Sequence, residues 1–236
     1  MKFKVVSFIE KQKWDYPSDL FSCLNCLKTV LFFLVLFSVL PTALAYLSHF
    51  QKMENAYHEI SLVSKWTNDE SISKLNIHNG FLENFKPPLA LNCVDAALWA
   101  GVQAADEGTK QSVVTQYKEI MSLKDEIIRD KALGNLLCSS DLKKISDQDV
   151  PNPGDYIFLL GRSASDISKS KNLLGKRILH AGVFAPGDHL LNLNPVGVAT
   201  KPIQYYVRGY EQAGNKVKGV YFCSPFFINP DRGKDL

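Results

Sequence analysis

The sequence predicts an α+β fold, with helices packed on an antiparallel sheet and one transmembrane helix ahead of them. Three observations predict it. Residues 29–48 form an apolar run without a charged side chain. Helical apolar spacing dominates between residues 54 and 138. After Pro151, short β-rich runs alternate with turn signals. Helices first and strands afterwards is the order of an α+β chain, not of repeated βαβ units.

The run TVLFFLVLFSVLPTALAYLS, Thr29 to Ser48, matches the hydrocarbon thickness of a bilayer as one helix. Pro41 interrupts it, which a membrane helix tolerates. Lys2, Lys4, Lys11, Lys13 and Lys28 precede the run, whereas Lys52 follows it close to Glu54 and Glu59. The positive-inside rule therefore keeps residues 1–28 in the cytoplasm and sends the body across. Ala43-Leu44-Ala45 also offers a cleavage site, which would release a secreted body. A buried soluble helix is the third reading, and the uncleaved anchor is the favoured one. The expected organisation is a cytoplasmic segment (1–28), a transmembrane helix or signal-anchor (29–48), a helical linker region (49–84) and a folded domain (85–236).

Of 236 residues, 46% are hydrophobic and 22% charged, as in ordinary folded domains. The net charge is +3, and the first 50 residues carry most of it. A nearly neutral body lacks the basic footprint of a nucleic-acid binder. No Walker loop, zinc-finger spacing or post-strand GxGxxG occurs. The cysteines are Cys23, Cys26, Cys93, Cys138 and Cys223, an odd count at wide spacing and so no disulfide framework. Cys23 and Cys26 lack the second pair that a zinc site needs and read as membrane-proximal cysteines. Cys138 and Cys223 read as structural, able to pair in an oxidising compartment. No metal or cofactor is expected.

Glu54 to Trp66 reads as a helix, with Ala56, Tyr57, Ile60, Leu62 and Val63 as its apolar residues. Asn68 to Leu91, broken by Gly80, Pro87 and Pro88, reads mostly as loop. Asn92 to Asp106 is predicted helical, and Gln111 to Cys138 forms one or two more helices. Strands are expected at Tyr156–Leu160, Ile178–Ala185, His189–Asn194, Ile203–Val207 and Val217–Cys223. Pro153-Gly154-Asp155, Pro186-Gly187-Asp188 and Ala213-Gly214-Asn215 supply turns. Gly161 to Lys176 is a Ser/Lys-rich link, read as a solvated loop or as a flap beside a cleft.

Cys93 is the candidate nucleophile. Asn92 is a good N-cap, so Cys93 falls at the first helical position. There, free amides and the positive dipole end favour thiolate over thiol. Ala97, Ala100, Gly101 and Ala104 would let this helix press close to a sheet. His180 begins a β-run in His180-Ala181-Gly182-Val183-Phe184, with Gly182 leaving room on its face. Asn192 lies 12 residues later, beyond the Pro186-Gly187-Asp188 turn. A hairpin there returns it to His180, where its amide oxygen can hold the imidazole tautomer. Asn194 shares that face and is the substitute candidate. His189 has opposite parity and reads as a surface residue.

In order, the chain has a helix-start Cys, Pro153-Gly154-Asp155-Tyr156-Ile157-Phe158, His180-Ala181-Gly182-Val183-Phe184 and a polar residue at Asn192. This order resembles the NlpC-type cell-wall cysteine peptidases and amidases, a compact papain-like fold, over residues 85–225. The family's usual Asp-Cys-Ser-Gly is here Asn92-Cys93-Val94-Asp95. Its upstream Tyr-x-x-Gly-Gly is missing. The resemblance implies a thiol hydrolase with a Cys93–His180–Asn192 triad that cuts amide bonds in peptidoglycan peptides, a thiol protease without a cofactor. Oxyanion donors would come from helix-start amides. Competing expectations keep the dyad on another amide or acyl substrate, as a thiol amidase or acyltransferase, or drop catalysis for a wall-binding or membrane-partner module. The expected partners are peptidoglycan or another peptide substrate, and the membrane through residues 29–48; nucleic acid is not among them.

Overall fold

The computed structural model describes residues 44–82, 85–124, 128, 132, 135–138, 141–162 and 177–225. The chain divides into two compact units, residues 1–44 and 45–236, and the second carries everything below. Cys23, Cys26 and all but the last five residues of the predicted span lie outside the described residues. Among the described residues no helix is long and apolar enough to cross a membrane.

Residues 44–63 are helical and form α1. Phe50, Met53, Tyr57 and Ile60 recur at spacings of three and four and are buried. Leu62 and Val63, expected on that stripe, are exposed. The helix also stops short of the predicted Trp66. Lys65–Trp66 form strand β1 instead, parallel to β2 at Ala90–Leu91. Backbone bonds from Lys65 and Thr67 to Leu89 and Leu91 outcompete a further helical turn.

The predicted loop over 68–91 is largely helix. Helix α2 spans Glu70–Leu82. Asp69 starts it, its carboxylate accepting from the Ser71 and Ile72 amides. Ser73, Ile77, Gly80 and Phe81 form its buried side. Gly80 reads as a breaker but is a packing residue. A Cβ there would lie 3.0 Å from both the Lys86 carbonyl and the Trp99 ring.

Helix α3, Cys93–Ala104, is apolar on nearly every side and buried along most of its length. Its small residues let Trp99 and Leu98 pack without pushing the sheet away. Helix α4, Glu107–Ser122, is capped by Asp106, whose side chain accepts from the Thr109 amide. It buries Val113, Val114 and Tyr117. Residues 49–84, treated by sequence as a linker region, thus contribute Met53, Tyr57, Ile60, Ile77 and Phe81 to the same core as α3.

The main sheet has six strands in the order β3-β8-β4-β5-β6-β7. They are β3 Lys143–Lys144, β4 Tyr156–Arg162, β5 Arg177–Ala185, β6 His189–Asn194, β7 Gly197–Pro202 and β8 Lys216–Cys223. Every neighbouring pair is antiparallel. The fold is therefore α+β with helices on an antiparallel sheet, as the chain order predicted. Of the predicted link, Gly161 and Arg162 belong to β4, and residues 163–176 lie outside the described residues. Strand β7 is an addition. Its turn, Pro195-Val196-Gly197, is held by the Val196 amide on the Asn194 side chain, with Gly197 at φ +114°.

The predicted strand at Ile203–Val207 is helix α5, Ile203–Gln212. Its β-branched and aromatic residues look strand-like over five positions. Over ten, the buried Ile203 and Tyr206 and the half-buried Tyr210 repeat with helical spacing.

The sheet buries both faces. Tyr156, Phe158, Leu160, Ala181, Val183, Leu191 and Leu193 join the core built by α1 to α4. Ile157, Leu159, Phe184, Leu190 and Phe222 form a second cluster with Ile203 and Tyr206 of α5. Burying one such side chain fully contributes about 1.5–3 kcal/mol. A Cys138–Cys223 disulfide ties the segment after α4 to the end of β8 across 85 residues of sequence. A cross-link over a loop of that length is worth about 2–5 kcal/mol, chiefly through the unfolded chain.

Candidate active site

Cys93 sits where predicted, at the first position of α3. The Asn92 side chain accepts from the Asp95 amide at 2.8 Å, and the Asn92 carbonyl accepts from the Ala96 amide at 3.0 Å. That leaves the Cys93 and Val94 amides to face the sulfur. A polar link fixes this helix start to α2. The buried Ser73 hydroxyl donates to Asp95 Oδ2 at 2.5 Å and accepts from the Asn92 amide at 2.8 Å. Among the described residues Cys93 is the free cysteine, and it is half-buried.

The Ala181 amide, next to His180, is among the groups that favour the Cys93 thiolate. The β5–β6 ladder runs from Ala185↔His189 to Val183↔Leu191 and ends two residues short of Ala181. The Ala181 amide lies beyond the point where that ladder stops. His180 and the Ala181 amide that acts on the sulfur are adjacent residues of β5.

His180 is buried on the α5 side of the sheet. Its ring stacks on Tyr206, with centroids 5.0 Å apart. The register explains this orientation. Leu159 pairs with His180 and Leu160 with Ile178, so Leu179 is skipped. That bulge turns both Leu179 and His180 toward α5. The helix that His180 faces is α5, not α3.

His180 Nε2 lies 3.0 Å from Asn192 Oδ1. The amide orientation of Asn192 follows from its other bonds: Nδ2 donates to Tyr206 Oη at 2.6 Å and to the Ala199 carbonyl at 3.2 Å. Its oxygen therefore accepts, Nε2 carries the proton, and Nδ1 is the unprotonated nitrogen. Asn194 plays a different part. Its Nδ2 donates to Asn192 Oδ1 at 3.3 Å, so it supports Asn192 instead of touching the imidazole. Gly182 makes the juxtaposition possible. A Cβ at Gly182 would come within 2.5 Å of the Leu191 carbonyl and 2.9 Å of Asn192 Cβ. His189 is half-buried, with Nδ1 against the Gly187 carbonyl and no part in the group.

Three tyrosines complete the site, and sequence reasoning missed all three in this role. Tyr210 Oη approaches His180 Nδ1 at 3.4 Å. Tyr206 holds Asn192. Tyr57 of α1 is fully buried, its hydroxyl has no hydrogen-bond partner, and Cys93 is among the groups that act on it electrostatically. The i, i+4 spacing of Tyr206 and Tyr210 was the available signal. Reading that segment as a strand hid it.

The electrostatics run against the thiolate expected at a helix start. The Ala181, Cys93 and Val94 amides do favour the anion, but burial outweighs them and Asp95 opposes them, so the Cys93 thiol is pushed up to about 11. Burial lowers His180 to about 4, with Asn192 acting in the opposite sense. At neutral pH the resting pair is therefore thiol and neutral imidazole. Burial also raises Asp95 to about 6 against its bonds to Ser73 and Asn92. No cluster of metal-ligating side chains occurs among the described residues. No family model matches this chain, and it finds no match among the curated proteins or the solved structures.

Proposed function

We propose that this protein is a cysteine hydrolase with a papain-like, NlpC-type fold, in which Cys93, His180 and Asn192 act as nucleophile, base and orienting residue. One observation carries the reading: Asn192 fixes the tautomer that leaves His180 Nδ1 basic, while the amide beside His180 acts on the Cys93 thiolate. In the reaction, Nδ1 takes the thiol proton as the sulfur attacks an amide carbonyl. The Cys93 and Val94 amides are the donors available to the developing oxyanion. The imidazolium then protonates the leaving amine, and water releases the acyl group with His180 again as base.

The substrate class is the one the resemblance to cell-wall cysteine peptidases implies, and an exported body agrees with it. A body carried across the membrane by residues 29–48, or secreted after Ala45, meets peptidoglycan stem peptides in a bacterial envelope. The Cys138–Cys223 disulfide supports an oxidising compartment. Digestion of purified muropeptides, followed by mass spectrometry, tests the proposal. New amine and carboxyl termini are expected with the wild-type chain, and Cys93→Ala lowers their release by about 10⁴-fold or more. Equal release by Cys93→Ala contradicts it.

A second reading draws on the high thiol pKa: a degenerate module that binds wall or a membrane partner without cleaving. Wall binding by Cys93→Ala at wild-type affinity, with no cleavage by either chain, would favour that reading.

A further inference from the structure

Helix α5 brings two hydroxyls from one face onto the two groups that the hydrolase reading calls base and orienter. Tyr206 meets Asn192 at 2.6 Å and Tyr210 meets His180 at 3.4 Å. Their effects differ. Tyr206 takes a hydrogen from Asn192 Nδ2, which leaves Asn192 Oδ1 for Nε2. Tyr210 takes the other end of the ring. With Nε2–H donated to Asn192, Nδ1 has one lone pair, and the Tyr210 hydroxyl donates to it.

We infer that Tyr210 is a positioning residue that holds the resting site closed by occupying the imidazole nitrogen that must receive the thiol proton. This inference rests on the proposed function. The ring's two hydrogen bonds go to Asn192 and Tyr210, and the groups acting in favour of the thiolate are backbone amides. Among the described residues no hydrogen bond joins the Cys93 sulfur to the His180 ring, whose two nitrogens are taken by Asn192 and Tyr210. Cys93 also helps to raise Tyr210, after burial, to about 12, so sulfur and hydroxyl lie within electrostatic reach and the hydroxyl keeps its proton.

Activation requires that the Tyr210 hydroxyl withdraw from Nδ1 and that the Cys93 sulfur take its place there. The Cys93 S–H bond then breaks, its proton passes to Nδ1, and a thiolate–imidazolium pair forms; Tyr210 exchanges no proton. Tyr210 can leave without disturbing Asn192, because Tyr206 and the Ala199 carbonyl hold that side chain independently.

The experiment follows alkylation of Cys93 by iodoacetamide against pH in the wild-type chain, Tyr210→Phe, Tyr206→Phe and Tyr210→Phe/His180→Ala. Wild type should react along one high-pH limb. Tyr210→Phe should gain a second limb near neutral pH and react at least about 10-fold faster at pH 7, and the gain should vanish in the double variant. Tyr206→Phe should show no such limb. A Tyr210→Phe profile that superimposes on wild type overturns the inference.

If Tyr210→Phe folds poorly, ¹⁵N spectra of the imidazole in wild type and Cys93→Ala decide the matter. An Nδ1 signal unmoved by Cys93→Ala supports Tyr210 as its partner, and a shifted one names Cys93 and overturns the inference. Muropeptide cleavage separates the two failures. Activity that depends on Cys93 with an unchanged Tyr210→Phe profile removes the closed resting state alone, whereas activity independent of Cys93 removes the hydrolase reading.

Discussion

The two faces of the six-stranded sheet are built from different chemistry. The face toward α3 is apolar throughout, with Tyr156, Phe158, Leu160, Ala181 and Val183 under an alanine-rich helix. The face toward α5 mixes apolar residues with His180, Asn192 and Asn194, all buried and satisfied by tyrosine hydroxyls, main chain or one another. Cys93 belongs to the first environment and His180 to the second. The comparison teaches why the resting site is uncharged. Dry packing around the thiol and dry packing around the imidazole each disfavour the ion, and no opposite charge stands by to compensate.

The largest expected effect breaks the α3 face. Trp99→Ala removes a fully buried ring stacked on Phe81 at 5.5 Å and should cost about 3–5 kcal/mol in denaturant unfolding. That loss should be nearly independent of pH.

Acid should act on the α5 face. The folded His180 titrates near 4, below the unfolded reference of 6.5, so the unfolded chain binds the proton first. Stability from this group is present above 6.5 and is lost as pH falls toward 4, by about 3 kcal/mol. His49, also lowered to about 4, adds in the same sense. Asp95 acts oppositely: raised to about 6, it stabilises the fold at low pH and loses that contribution as pH rises toward 6. Unfolding measured from pH 4 to 7 in wild type and His180→Gln should show a flatter slope in the variant.

Gly182→Ala attacks the junction between the two strands. Pushing β6 off β5 should separate Asn192 from His180 at a cost of about 1–3 kcal/mol. The imidazole nitrogen chemical shifts should report the loss of a fixed tautomer.

The smallest effect crosses from one face to the other. Asp95 opposes the thiolate, so Asp95→Asn should raise Cys93 alkylation near neutral pH by about 2- to 5-fold, equivalent to less than about 1 kcal/mol. Kinetics of thiol labelling would detect it.

The parts of the site legible in sequence were those with local signatures. Asn92 before Cys93 announced a helix start, and the Pro186-Gly187-Asp188 turn fixed a hairpin that returns Asn192 to His180. What stayed hidden depended on distant partners. Helix α2 was masked because Gly80 serves packing against Trp99, a reason invisible without the third dimension. Helix α5 was masked because five residues of Ile-Gln-Tyr-Tyr-Val satisfy a strand pattern before the helical period emerges. With α5 unread, Tyr206 and Tyr210 could not be connected to the site. Helix-terminus logic gave the right sign for the amides around Cys93, but burial decides the net direction, and burial is a tertiary property.

The most direct test of a nucleophilic Cys93 served by His180 is intact-protein mass spectrometry after a brief pulse with an activated aryl ester. An acyl adduct should map to Cys93, form at least about 100-fold more slowly in His180→Ala, and disappear in Cys93→Ala. An adduct that forms equally fast without the imidazole, or that never resides on this sulfur, would contradict the account.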